Sequence, residues 1–224
     1  MSGSRGAVRR VAWMFMLTLS SVLVITAGRP AQATTSQYRW YAGTEATATK
    51  YGVKATVTVP ATRPYVPLGE SSQEWVTVDN HAEAWVQTGW FVGPANGIYY
   101  NSPTAYIESG TYPDSEIRAY GPVALNSSHT FQIDWSSSFL AWRVLIDSAN
   151  KGYFNGGAMN APQWISAKGE TTNSSCTMGR SRFNPVKYAN SSLVWYSFSS
   201  AYPLEADSPY HVSGYPYNFE NWGP

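Results

Sequence analysis

The sequence predicts an all-β protein, an antiparallel β-sandwich with little helix. Apolar and polar residues alternate over many short runs rich in β-branched and aromatic side chains, which is the period of a half-buried strand. Stretches rich in Gly, Pro, Asn and Ser separate those runs. No segment shows an apolar stripe of 3.6-residue period longer than about two turns. Short strands punctuated by turn chemistry fit a sandwich or barrel rather than α/β units.

In chain order the strand runs are 55–59, 74–78, 84–92, 104–108, 130–135, 142–147, 163–170 and 193–198. The first two carry Val57, Val59, Val76 and Val78 at alternate positions. In 84–92, Trp85, Gln87, Gly89 and Phe91 share one face, and Val86, Thr88, Trp90 and Val92 share the other. Tyr106 and Glu108 share a face in the fourth run. The fifth and sixth are rich in aromatic and aliphatic residues: Phe131, Ile133 and Trp135, then Trp142, Val144 and Ile146. The seventh run sets Trp164, Ser166, Lys168 and Glu170 against Ile165, Ala167 and Gly169; the eighth is the aromatic run ending at Phe198. The intervening stretches 62–72, 93–97, 110–115, 121–128 and 155–160 read as turns. From about residue 202 the aromatic, Pro/Gly-punctuated tail is expected to cross the domain as an irregular strap.

The chain of 224 residues suffices for one sizeable core, so residues 34–224 are expected to form a single domain. Charged residues make up 13% and aromatics 15%, a balance opposite to that of disordered chains. A formal charge of +1 offers no broad cationic surface, so nucleic-acid binding is not expected. A single cysteine, Cys176, excludes an intrachain disulfide framework and any multi-cysteine zinc site. Cys176 is expected as a lone thiol, the other choice being an intermolecular link.

Residues 1–33 have the pattern of a signal peptide. Arg5, Arg9 and Arg10 precede an uncharged apolar stretch over 11–28, and Ala31-Gln32-Ala33 supplies a small-x-small cleavage site. The expectation is export, cleavage after Ala33 and an extracellular protein without a stable membrane anchor; a retained anchor is the competing reading. Asn126, Asn173 and Asn190 each open a glycosylation sequon.

His81, His129 and His211 lie far apart, with no Gly-x-Ser-x-Gly elbow, so neither a serine triad nor a histidine metal site is expected. Phosphate-cradling glycine loops are absent, and no cofactor is expected. Carboxylates and amides remain. Gln87 stands mid-strand beside Gly89, where a ligand backbone has room to approach, and Glu170 projects from its strand toward a cleft or water.

Trp75-Val76-Thr77-Val78-Asp79, Trp85-Val86-Gln87-Thr88-Gly89-Trp90 and Lys168-Gly169-Glu170-Thr171 resemble the motif series of the glutamic peptidases (eqolisins) and the neprosin-like peptidases. The resemblance spans about residues 55–178 and implies a secreted sandwich related to the concanavalin-like jelly roll. It implies Gln87 and Glu170 as a catalytic pair acting on a polypeptide, with Trp75 or Trp85 beside it. Glu108 matches an acidic strand position that is not the catalytic one, and ranks second. The chain departs from the neprosin pattern in carrying Lys168-Gly169-Glu170 in place of Gly-Gly-Glu.

In the implied chemistry Glu170 serves as general base toward water and then as acid toward the leaving amine. Gln87 orients that water and donates to the oxyanion. This requires the two side chains to meet in an accessible trough. Lys168, two residues away on the same face, is expected to favour ionised Glu170. The bland alternative makes Gln87 a cross-strand amide and Glu170 a surface carboxylate paired with Lys168. A second functional reading is a non-catalytic, monomeric module that binds a polysaccharide through exposed tryptophans, although most tryptophans are expected in the core.

Overall fold

The computed structural model describes residues 39–81, 84–155 and 159–224, and all of its regular structure is strand. The signal peptide and its cleavage site lie outside the described residues, as do residues 156–158 of an expected turn.

Two antiparallel sheets stack. One runs in the order β13 (Leu204–Ala206), β1 (Trp40–Glu45), β10 (Trp164–Thr171), β3 (Ser72–Asp79), β4 (Ala84–Ala95), β5 (Ile98–Thr111) and β6 (Asp114–Pro122). The other runs β14 (His211–Tyr215), β15 (Asn218–Trp222), β11 (Ser181–Ala189), β2 (Gly52–Thr58), β7 (Ser128–Ser136), β8 (Ala141–Ile146) and β9 (Ala149–Phe154), with β12 (Trp195–Ser197) paired to β11. The alternation read from sequence is what builds the layer between them. Val76, Val78, Val86, Trp90, Ile107, Ile165 and Ala167 point inward from the first sheet. Val53, Ala55, Val57, Phe131, Ile133, Trp142, Val144 and Phe183 meet them from the second. Each large side chain so buried stabilises the fold by about 1.5–3 kcal/mol.

The β4–β5 hairpin positions the site. Asn96 and Gly97 turn it with φ of 51° and 78°, the left-handed pair that matches strand twist. A bulge between Phe91 and Gly93 then shifts the register, so that Gln87 stands opposite Glu108.

Several strands escaped the alternation reading. β6 and β9 are edge strands with mostly exposed or half-exposed residues, and neither has a continuous apolar face. The pattern of β11 breaks at a bulge between Phe183 and Val186. The tail expected as an irregular strap forms β13, β14 and β15 instead, joined to both sheets. Pro203, Pro209 and Pro216 separate these short strands rather than preventing them, because each stands outside the paired segments.

Candidate functional site

The face of the seven-stranded sheet turned away from the core carries a second, smaller aromatic cluster. Trp75, Phe91, Ala95 and Tyr106 pack there with Tyr41, Tyr100, Ile117 and Ala119. Among the polar groups on that face are Gln87 on β4, Glu108 on β5 and Glu170 on β10. All three are at most 6% exposed. The sequence-expected residues therefore share a face, but they are sheathed rather than open to a trough.

Register decides which of them touch. Gln87 and Glu108 are directly opposite, and Gln87 Nε2 donates to Glu108 Oε2 at 3.2 Å and to the Tyr106 hydroxyl at 2.7 Å. Both amide hydrogens are thereby engaged. Glu170 stands two strands away across β3. Gln87 is level with Thr77 of that strand and Glu170 with Gln73, an offset of four residues or about 13 Å along the strand. Trp75 fills the interval. Its Nε1 donates to Glu170 Oε2 at 3.2 Å, and its ring meets Tyr41 edge-on. No hydrogen bond joins Gln87 to Glu170. Gly89 admits no ligand backbone in this arrangement: a Cβ there would collide with the Glu74 carbonyl and lie 2.7 Å from Trp75 Cα, so the neighbouring strand occupies the space.

The partner of Glu170 is a residue that the sequence reading passed over. Arg39, just before β1, sets its Nη1 on Glu170 Oε1, and the pair raises the guanidinium pKa. Lys168 turns instead to Glu45, 2.8 Å away. The pairing of Lys168 with Glu170 is thus corrected: register places the lysine opposite Gly43, two residues before Glu45 on the same face of β1, and leaves Glu170 opposite Tyr41. Nothing in local sequence flags Arg39, since it precedes the strand pattern and lies 131 residues from its partner.

Both tryptophans named from sequence serve carboxyls, Trp75 on Glu170 and Trp85 on Glu108. The Glu108 pKa is raised, first by burial and then by the charge of Glu170, with bonds from Ser115 and Trp85 opposing the rise. Tyr106 is held far above the usual phenol range by its burial and by the two acids. The two carboxyls of the cluster thus differ in surroundings: Glu108 is pushed toward its neutral form, and Glu170 is paired with a guanidinium. Tyr106, which accepts from Gln87, keeps its own hydroxyl proton for a developing oxyanion.

Other candidates resolve plainly. Ser127, His129 and Asp147 form a chain of 2.8 and 2.7 Å contacts in the order of a catalytic triad. The Ser127 hydroxyl, however, donates to the Ala124 carbonyl at 2.5 Å and leaves no free nucleophile. Cys176 is fully buried, with its thiol pushed up to about 11 by burial, so it is a lone thiol closed to another chain. Among the described residues no three His, Cys, Asp or Glu gather where a metal would sit. Trp75, Trp90 and Trp142 are buried, and the other described tryptophans are half-buried.

No protein-family model and no curated protein matches the chain. Solved structures do. Scytalido-glutamic peptidase with a peptide-based transition-state analog superposes with a TM-score of 0.60 at 13% identity, over 81% of this chain and 97% of that one. The same peptidase with a transition-state analog inhibitor gives 0.60 at 14% identity, over 84% and 98%. A glycoside hydrolase family 16 endo-glucanase from Bacteroides ovatus gives 0.38 at 13% identity, over 59% and 66%. The fold is therefore an all-β sandwich of the glutamic-peptidase kind; identities this low establish the fold alone.

Proposed function

We propose that the protein is a secreted, glutamic-peptidase-like hydrolase that cleaves polypeptides in acidic surroundings, with Gln87 and Glu170 as its principal residues. The observation that carries this reading is the placement of Gln87, Glu108 and Glu170 on one sheet face, with Glu108 bonded to Gln87 and pushed toward its neutral form and Glu170 paired with Arg39. The solved neighbours, described as a glutamic peptidase holding transition-state analogs, support the reading through shared fold. Glu170 is the base that takes a proton from water as the water oxygen attacks the peptide carbonyl, and it returns that proton to the amine nitrogen as the C–N bond breaks. Gln87 orients the Tyr106 hydroxyl toward the oxyanion and holds Glu108 in place. Substrate must first draw Arg39 off the Glu170 carboxylate, a movement that its half-exposed side chain permits.

The test is cleavage of an acid-denatured protein by the chain starting at Thr34, followed between pH 3 and 7. Glu170→Gln and Gln87→Ala are expected to lower kcat at least a hundredfold while circular dichroism stays unchanged. Activity persisting in both variants overturns the reading.

A second reading rests on a different place. Phe139 and Tyr153 stack with ring centroids 4.1 Å apart, beside a cleft of about 420 Å³ that also touches Glu116, Arg118 and Phe154. Exposed rings at 62% and 39% beside a carboxylate and a guanidinium suit a sugar ring. Retention on insoluble β-glucan that Phe139→Ala abolishes, without peptidase activity, would favour a polysaccharide-binding module.

A further inference from the structure

We infer that the sandwich interior holds an acid-adapted lock: Glu74, sealed between the sheets against an amide and no cation, braces the fold as a neutral acid and loses that role as pH rises. This inference does not rest on the peptidase reading.

Glu74 sits on β3 facing inward, 0% exposed, next to a residue that faces the site on the other side. Its Oε2 accepts from Asn221 Nδ2 at 2.7 Å, and the same nitrogen reaches the Ala42 carbonyl at 3.2 Å. Gly169, its register partner, makes the slot. A Cβ there would lie 2.6 Å from Glu74 Oε2 and 2.5 Å from Met178 Sδ, and would strike Asn221 Nδ2. The glycine in Lys168-Gly169-Glu170 is thus required by the inner acid.

Two oxygens of this pair lack donors, Glu74 Oε1 and Asn221 Oδ1. An ionised carboxylate and an amide carbonyl both only accept, so nothing in the pair can satisfy either. A proton on Glu74 supplies the missing donor and turns the two side chains into a complementary acid–amide couple. Every element packed against Glu74 is uncharged there. β4 presents Trp90, β10 Gly169, β15 Asn221, β1 Ala42, and β11 presents Ser181, whose hydroxyl makes no fully formed hydrogen bond but bears on the Glu74 carboxyl and, with Asn221, opposes the effect of its burial. The titratable groups that pack with Met178 and its segment, Tyr210 and Cys176, are neutral at and below neutral pH, both held upward by burial. Burial accordingly drives the Glu74 pKa well above 4.5, with only hydrogen bonding opposing it.

A folded-state pKa above the unfolded value means that the folded chain binds the extra proton. The stabilisation is complete below about pH 4.5 and is lost as pH rises through the folded value. Over that window one proton changes the folding constant by up to tenfold per pH unit, about 1.4 kcal/mol. Ionising Glu74 leaves a charge without a partner in the core.

The experiment is urea unfolding of the chain starting at Thr34 from pH 4 to 8 for wild type, Glu74→Gln and Glu108→Gln. The amide preserves size and hydrogen bonding without titrating. Glu74 is expected to contribute up to tenfold per pH unit to the weakening of wild type, Glu74→Gln to lose that one proton of dependence, and Glu108→Gln to retain it. Equal slopes in wild type and Glu74→Gln overturn the inference. Should Glu74→Gln fail to fold, the infrared carbonyl band of a protonated acid is sought in Glu108→Gln protein carrying isotope-labelled glutamate at pH 6. Its presence supports the inference and its absence overturns it.

Discussion

Glu74 and Glu170 lie on adjacent strands of one sheet, are 0% and 2% exposed, and are held by opposite means. The outer acid is met by a guanidinium and an indole. The inner one is met by an amide and a neighbouring hydroxyl, and by no cation. Burial alone therefore does not decide what a carboxyl is paired with; the access of a cation to its face of the sheet does. A half-exposed arginine can settle on the outer face, whereas the core between two apolar layers admits none.

The contrast can be broken first from the inside. Gly169→Ala drives a methyl group into Glu74, Met178 and Asn221 and is expected to cost about 3 kcal/mol in urea unfolding, near the upper end for overpacking. A cost below about 0.5 kcal/mol would mean that the inner slot is loose. A smaller effect is expected outside. Arg39→Ala strips the cation from a buried carboxylate, but the arginine is 46% exposed, so water takes part of its place. The expected loss at neutral pH is about 1–2 kcal/mol, shrinking in high salt. Salt-independence would show that Glu170 does not rely on the charge of Arg39.

Much of this was legible along single strands and little of it across them. Alternation alone put Gln87, Trp75 and Glu170 on faces of their own strands. It also carried a signal that went unused: Glu74 falls in step with Val76 and Val78, so an acid stood in an apolar stripe. Cross-strand partners depend on register, which a bulge can reset. Counting straight back from the Asn96-Gly97 turn pairs Gln87 with Tyr106; the bulge after Phe91 moves it to Glu108. Arg39 and Asn221 lie beyond any local pattern, since they meet their acids 131 and 147 residues away. The tail misled because proline and glycine mark short strands as readily as loops when a sheet edge is waiting to be covered.

One consequence concerns how the molecule is made. Asn221 on β15 donates both to the interior acid on β3 and to the carbonyl of Ala42 on β1. The interior stays open until residues 218–222 dock, so its closure waits on contacts between positions 147 and 179 residues apart.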